Sequence, residues 1–307
     1  MHYLGLDVGG TTIKAGLVDE NNRVLESHST PTIIDDLNGF ISKLTDLIHH
    51  FQKSARIDAV GIGVPGLRSS KTGAIRTSPN IACLNNVNVE ELLADKVHLR
   101  VVSENDANAG AYAEFMCGAG VGLQNLAYLT LGTGLGSGLI LNGRLYTGAA
   151  GYGGEFGHTV VDPGGRVCGC GQRGCIETVA SATAIVETAK DKLKNAATTL
   201  LNEIPPPLTA VQIYDAAVRG DELAREVFKE TGRWLGIACA NLINLLNPEM
   251  VIIGGGVMAS GEVLLGHAID FARQYAFRPS FAECRIVQSK LWPDAGMIGA
   301  ALLARDR

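Results

Sequence analysis

Residues 7–18, DVGGTTIKAGLV, and residues 131–141, LGTGLGSGLIL, share one plan: strand, glycine-threonine turn, strand, then a second turn (DENNR and NGR). A Gly/Thr turn straight after an apolar strand makes a tight hairpin, because residues with little or no side chain tolerate the backbone angles required. Two such hairpins in one chain imply a duplicated fold with a cleft between the copies. Their turns also expose backbone N–H groups to a phosphate, which no Cβ keeps at a distance. A third glycine turn, Gly254-Gly255-Gly256, follows the apolar run MVII. Any one of these turns reads equally well as a plain hairpin; the phosphate reading rests on the three together. GIGVPG at 61–66 fits a dinucleotide pattern only superficially, since proline and LRSSKTG stand where the helix should begin. A Walker-type GxxxxGK[ST] loop is absent from the sequence.

Composition narrows the function classes. With 307 residues, 46% of them hydrophobic, the chain suffices for two lobes, each with its own core. A formal net charge of -5 with no basic run argues against a nucleic-acid partner, which would demand clustered Lys and Arg. Residues 115–143 carry no charge, yet their many glycines fit a buried sheet with loop turns and not a membrane-spanning helix. The opening MHYLGLDVGG lacks the features of an export signal, so the expected location is cytoplasmic with no membrane partner. Cys83, Cys117, Cys239 and Cys284 stand singly in apolar surroundings, as core thiols of an intracellular protein do.

Along the chain, strands are expected at 3–8, 13–18, 23–29, 58–64, 97–102 and 250–253. Helical patterns cover 36–53, the small-residue stretch 107–116, roughly 179–195, 209–218, 221–247 and the closing 295–304. Asp7 ends a strand at the first glycine turn, where a carboxylate can hold Mg²⁺ or its waters beside phosphates; an Asx-turn is the plainer alternative. Asp106 in SENDANA closes a strand before a helix, and helix capping is its plainer alternative. The segment EFGHTVVDPGGRVCGCGQRGCIE (155–177) gathers His158, Cys168, Cys170 and Cys175, a complete tetrahedral set for structural zinc. A redox pair would normally be CxxC and not CxC.

Taken together, DVGGTTIK (7–14), ENDANA (104–109), LGTGLGSG (131–138), EFGH (155–158), CGCGQRGCIE (168–177) and IIGGGV (252–257) resemble the ROK family of repressors, open reading frames and sugar kinases. The resemblance runs from the first strand to the last helix. It implies an α/β, duplicated actin-like or hexokinase-like (ribonuclease H-like) fold of two lobes. The small lobe would be 1–117 plus the helix near 295–307, and the large lobe 118–294 would carry the zinc loop. It also implies a cleft holding ATP and a hexose, and a homodimer.

The family's site residues carry over one by one. Asp106 matches the general base, and Gly66, Asn80, Asn105, Glu155, His158 and Glu177 match the sugar pocket. Gly9, Gly10, Thr11, Thr12 and Lys14 match the first phosphate loop, Thr133 and Gly134 the second, and Gly255 and Gly256 the adenosine side. One ring nitrogen of His158 would ligate zinc while the other N–H meets a sugar hydroxyl. The implied activity is an ATP- and Mg²⁺-dependent hexose kinase acting on the 6-hydroxyl of glucose. After Pro79-Asn80 many glucokinases of the family carry an aromatic, where this chain has IACLNN, so N-acetylmannosamine, N-acetylglucosamine or fructose remain alternatives. A sugar-responsive repressor would carry a helix-turn-helix ahead of the first phosphate loop, for which the residues before Asp7 leave no room. A non-catalytic sensor is less in keeping with Asp7, Lys14 and Asp106.

Overall fold

The computed structural model describes residues 1–196 and 198–307. Twelve strands and nine α-helices are found among them. The first sheet has the order β3 (Val24–Pro31), β2 (Thr12–Asp19), β1 (His2–Val8), β4 (Ala59–Val64), β7 (Arg100–Asn105). Its first three strands form an antiparallel meander, and β4 and β7 add in parallel. β5 (Leu67–Arg68) and β6 (Ile75–Thr77) make a small separate ribbon. The second sheet has the order β10 (Arg144–Tyr146), β9 (Leu135–Leu141), β8 (Leu126–Leu131), β11 (Met250–Gly254), β12 (Arg285–Gln288). Numbered from its own first strand, each sheet therefore runs 3-2-1-4-5.

Helices α1 (Leu37–Gln52), α2 (Val89–Val97), α3 (Asp106–Cys117) and α9 (Ala295–Asp306) accompany the first sheet. The others are α4 (Ala182–Leu193), α5 (Ala210–Val218), α6 (Glu222–Leu246), α7 (Glu262–Tyr275) and α8 (Arg278–Ala282). The chain divides into two compact units, 1–124 with 138–154 and 290–307, and 125–137 with 155–289, so the division falls within β9. None of the described helices is long and apolar enough to cross a membrane.

The alternation of strand side chains decides what lies where in the first unit. Leu4, Leu6 and Val8 of β1 and Val60, Ile62 and Val64 of β4 face one way, into a core with Phe40, Leu44, Ile48 and Phe51 of α1. The intervening Tyr3, Gly5 and Asp7, and Ala59, Gly61 and Gly63, face α9 or α3. That face is small because α9 lies almost on the backbone: a Cβ on Gly61 would stand 1.7 Å from the Ala300 carbonyl oxygen. Gly299 of α9 is as tightly seated against Ala109 of α3. Most expected elements form where expected. One moves: residues 97–98 end α2, with His98 left-handed at φ 54° as its C-cap, and the strand expected at 97–102 runs instead from Arg100 to Asn105.

Candidate active site

Asp7 is the last residue but one of β1 and stands opposite Lys14 of β2 on one side and Gly63 of the parallel β4 on the other. Gly63 in turn pairs with Glu104 of β7 and lies under the first turn of α3, where an added Cβ would come 3.4 Å from the Asp106 Cα. A strand position without a side chain thus leaves the gap across which Asp7 and Asp106 approach each other. Burial, then the charge of Asp106, raises the Asp7 carboxyl to about 7, against the opposing pull of Lys14. Asp106 is also raised above the ordinary carboxylate range, chiefly by burial, although its Oδ1 accepts the Ala107 N–H at 3.0 Å. A carboxyl raised by burial beside a second acid that it helps to keep protonated suits a site where one of the two takes a proton.

The structure separates the two readings of the ENDANA segment. Asn105 is the N-cap, its Oδ1 accepting from Asn108 N at 3.0 Å, and Asp106 is the first residue inside the helix. Asp106 is therefore not spent as the cap. The Asn105 Nδ2 donates to the Gly66 carbonyl at 3.3 Å, which joins two of the expected sugar residues. Asn80 comes close to Gly10, whose Cβ would stand 3.2 Å from the Asn80 Cβ, so the TSPN turn meets the first glycine loop. Gly10, Thr11 and Thr12 are exposed at that loop, and Gly9 N–H closes it on the Thr12 carbonyl at 2.9 Å.

Two residues escaped the sequence reading. Asp294 binds the Lys14 ammonium at 3.0 Å, helped by the Pro293 carbonyl at 2.9 Å. Gly296 opens α9 directly beside Asp7, where a Cβ would fall 2.5–2.9 Å from the carboxylate atoms. The run Asp-Ala-Gly before an apolar helix was the available signal, but nothing local ties it to a strand nearly 290 residues earlier.

In the second unit, the turn Gly132-Thr133-Gly134 is stitched to the start of α4 by Ala182 N to the Gly132 carbonyl and Thr183 Oγ1 to the Thr133 carbonyl. Glu177 reaches the same turn. Its Oε2 accepts the Leu135 N–H at 3.0 Å and crowds Gly134, where a Cβ would stand 2.1 Å away. Its Oε1 lies 3.4 Å from Cys168 Sγ. Gly255 follows β11 at φ 89°, pressed against the backbone of Leu131, and Gly256 begins the next turn.

The expected metal ligands converge. One atom from each of His158, Cys168, Cys170 and Cys175 lies within 4.8 Å of all the others. Cys168 Sγ is 3.6 Å from His158 Nδ1, and Cys170 Sγ is 3.7 Å from Cys175 Sγ. A tetrahedron with zinc–sulfur bonds of about 2.3 Å has edges of ~3.7 Å, so the donor set and its spacing fit zinc. The sulfur separation far exceeds the ~2.05 Å of a disulfide. Tight hairpin bonds hold this shape, Cys168 N to Gln172 O at 2.8 Å and Gly171 N to Cys168 O at 2.9 Å. His158 turns Nδ1 to the cysteines and leaves Nε2 4.0 Å from Glu155 Oε2.

A model of the ROK family matches residues 3–307. The glucokinase of Thermotoga maritima is 37% identical over 311 residues, covering all of this chain and 98% of that protein. A xylose repressor of Caldicellulosiruptor bescii is 34% identical over 96% of this chain and 76% of its own length. Among solved structures, a ROK family glucokinase from Streptomyces griseus in complex with glucose and AMPPNP superposes with a TM-score of 0.91 at 35% identity, each chain covered in full.

Proposed function

The chain belongs to the ROK family and is an enzyme of its sugar-kinase type, and from that premise we propose that it transfers the γ-phosphoryl group of ATP to the 6-hydroxyl of glucose. The observation that carries this reading is the approach of Asp106 and Asp7 across Gly63 at the mouth of the first glycine loop. Phosphoryl transfer asks little covalent chemistry of a protein; it asks for positioning, charge stabilisation and a base for the attacking hydroxyl. Asp106 takes that proton. Gly66, Asn80, Asn105, Glu155, His158 and Glu177 hold the sugar. Gly9, Gly10, Thr11, Thr12 and Lys14, with Thr133 and Gly134, hold phosphates, and Gly255 and Gly256 border the adenosine. Asp7 would hold Mg²⁺ or its waters, an ion that neutralises charge on the β- and γ-phosphates. The repeated 3-2-1-4-5 strand order supports a duplicated actin-like fold of two lobes; the bounds proposed for them, 1–117 with 295–307 and 118–294, differ from the compact units chiefly in 138–154, which falls with the first.

Glucose is supported by the curated relative and by the sugar in the S. griseus complex. A coupled assay with ATP and Mg²⁺ across glucose, mannose, fructose and the N-acetylated hexosamines tests it. The expected outcome is a kcat/KM for glucose at least about 10-fold above the others, the range that a few pocket contacts discriminate. A best rate with an N-acetylated sugar would overturn glucose as the substrate.

Zinc at His158, Cys168, Cys170 and Cys175 is a structural ion in this reading, since all four positions are protein ligands. Ligation through Nδ1 fixes the imidazole and leaves Nε2 to donate to the sugar. Cys170→Ser is then expected to lose the metal and raise the sugar KM about 10-fold or more, with the ATP KM little changed. A zinc-free variant with an unaltered sugar KM would break the link between ion and pocket.

A further inference from the structure

Glu104 is 4% exposed, and a carboxylate at that depth persists only where hydrogen bonds and an opposite charge meet it. Its Oε1 accepts the backbone N–H of Asn105 at 3.0 Å and the Nδ2–H of Asn108 at 3.1 Å. Its Oε2 accepts from the Arg307 guanidinium at 2.7 Å. These contacts grip the strand-to-helix junction from both sides of Asp106: Asn105 directly before it, and Asn108 one half-turn into α3. Asn108 is 3% exposed and its Oδ1 has no hydrogen-bond partner among the described residues, so the bond to Glu104 orients that side chain. Arg307 follows the last turn of α9, the helix whose first turn sets Gly296 against Asp7. One helix therefore reaches both carboxylates of the site, Asp7 by contact and Asp106 through Glu104.

We propose that Glu104 and Arg307 are a pair of positioning residues for phosphoryl transfer, fixing the junction from which the Asp106 carboxylate meets the sugar hydroxyl. The proposal rests on Asp106 being the base. Glu104 sits on the α9 face of β7 by strand alternation, as Val102 does, whereas Ser103 on the other face is held by Glu90. Neither Glu104 nor Arg307 is assigned a contact with sugar or nucleotide. Their effect passes through Asn105 and Asp106, so it belongs to kcat and the sugar KM and not to the nucleotide KM. A displacement of about 1 Å at the reacting groups costs up to about 10²-fold.

The test uses the full chain and six variants, assayed well below each melting temperature. Arg307→Gln is expected to lower kcat about 10- to 100-fold with the ATP KM within about twofold, and Arg307→Lys to recover most of the loss. Glu104→Gln keeps an acceptor for Asn105 but turns an amide N–H toward the guanidinium, so it should match Arg307→Gln. The double variant Glu104→Gln/Arg307→Gln should be no worse than either single one, as a coupled pair requires. Arg305→Gln, in the same helical turn, is the control: it breaks contacts to Asp306 and to Asn22 of the β2–β3 turn and should leave kcat within about twofold. Equal losses for Arg305→Gln and Arg307→Gln, or independent losses that multiply in the double variant, would overturn the pairing. Asp106→Asn run alongside separates the two failures. An inert Asp106→Asn with a normal Arg307→Gln overturns the positioning pair alone, and a fully active Asp106→Asn overturns the base and the pair together.

Discussion

Asp106→Asn is expected to lower kcat by about 10²- to 10⁴-fold while the protein keeps its fold and its metal ligands. The amide preserves shape and still accepts the Ala107 N–H, so what is lost is the capacity to take a proton. The pH dependence makes the test sharper. A base works ionised, and burial raises this acid above the usual carboxylate value. The wild-type kcat/KM should therefore fall as pH drops through a point above the ordinary carboxylate value, and the residual rate of the Asn variant should lose that limb. Stability moves oppositely. A carboxyl whose folded pKa is raised binds its proton more readily folded than unfolded, so ionising it as pH rises from about 3.8 erodes the stability of the free protein. Asp106→Asn should consequently unfold no earlier than wild type at pH 8, as followed by thermal denaturation. Near-normal turnover would remove Asp106 from the role of base.

Gly61→Ala is expected to destabilise the protein by about 3 kcal/mol or more, the upper range for overpacking a tight contact. The new methyl would stand 1.7 Å from the Ala300 carbonyl oxygen, with the Ala300 carbonyl carbon 2.4 Å away. Neither is the end of a flexible side chain. The only relief is to lift α9 from β4, and Gly5 and Gly299 hold the same helix at equally short range. The Tm should drop by about 5 °C or more, and activity with it, because α9 carries Gly296 at Asp7. Gly266→Ala supplies the opposite sign. It lies inside α7 with no atom within 4 Å of the added Cβ, so the better helix former should stabilise by about 0.5–1 kcal/mol. Equal effects at the two positions would refute the packing explanation.

What the sequence discloses and what it conceals follow a physical line. The glycine turns, the cysteine loop and the strand-end aspartates are local patterns, so DVGGTTIK and CGCGQRGC announce their geometry in a dozen residues or fewer. Asp294, Gly296 and the Glu104–Arg307 pair act across 200 residues or more of chain, and no periodicity links them. Glu104 is instructive, since it lies inside the ENDANA motif yet its burial depends on β7 being placed with one face under α9. The misplaced strand at 97–102 has a local cause. Val97 and His98 are adequate strand formers, and only the left-handed turn at His98 shows that α2 ends there. Glu177 is named by the resemblance as a sugar residue, but its bond to the Leu135 N–H shows only once the second unit is folded.

That bond bears on attempts to change which sugar the enzyme accepts. Glu177 has one oxygen on the backbone of the glycine-threonine loop and the other beside Cys168, so under the proposed function one side chain serves the sugar while bracing that loop and the cysteine hairpin. A library that varies Glu177 to admit a bulkier hexose will also perturb the glycine-threonine loop and the cysteine hairpin. Variants would then fail for reasons unrelated to the sugar. The turn after Asn80, which the proposed function also gives to the sugar, is the sounder place to begin a redesign.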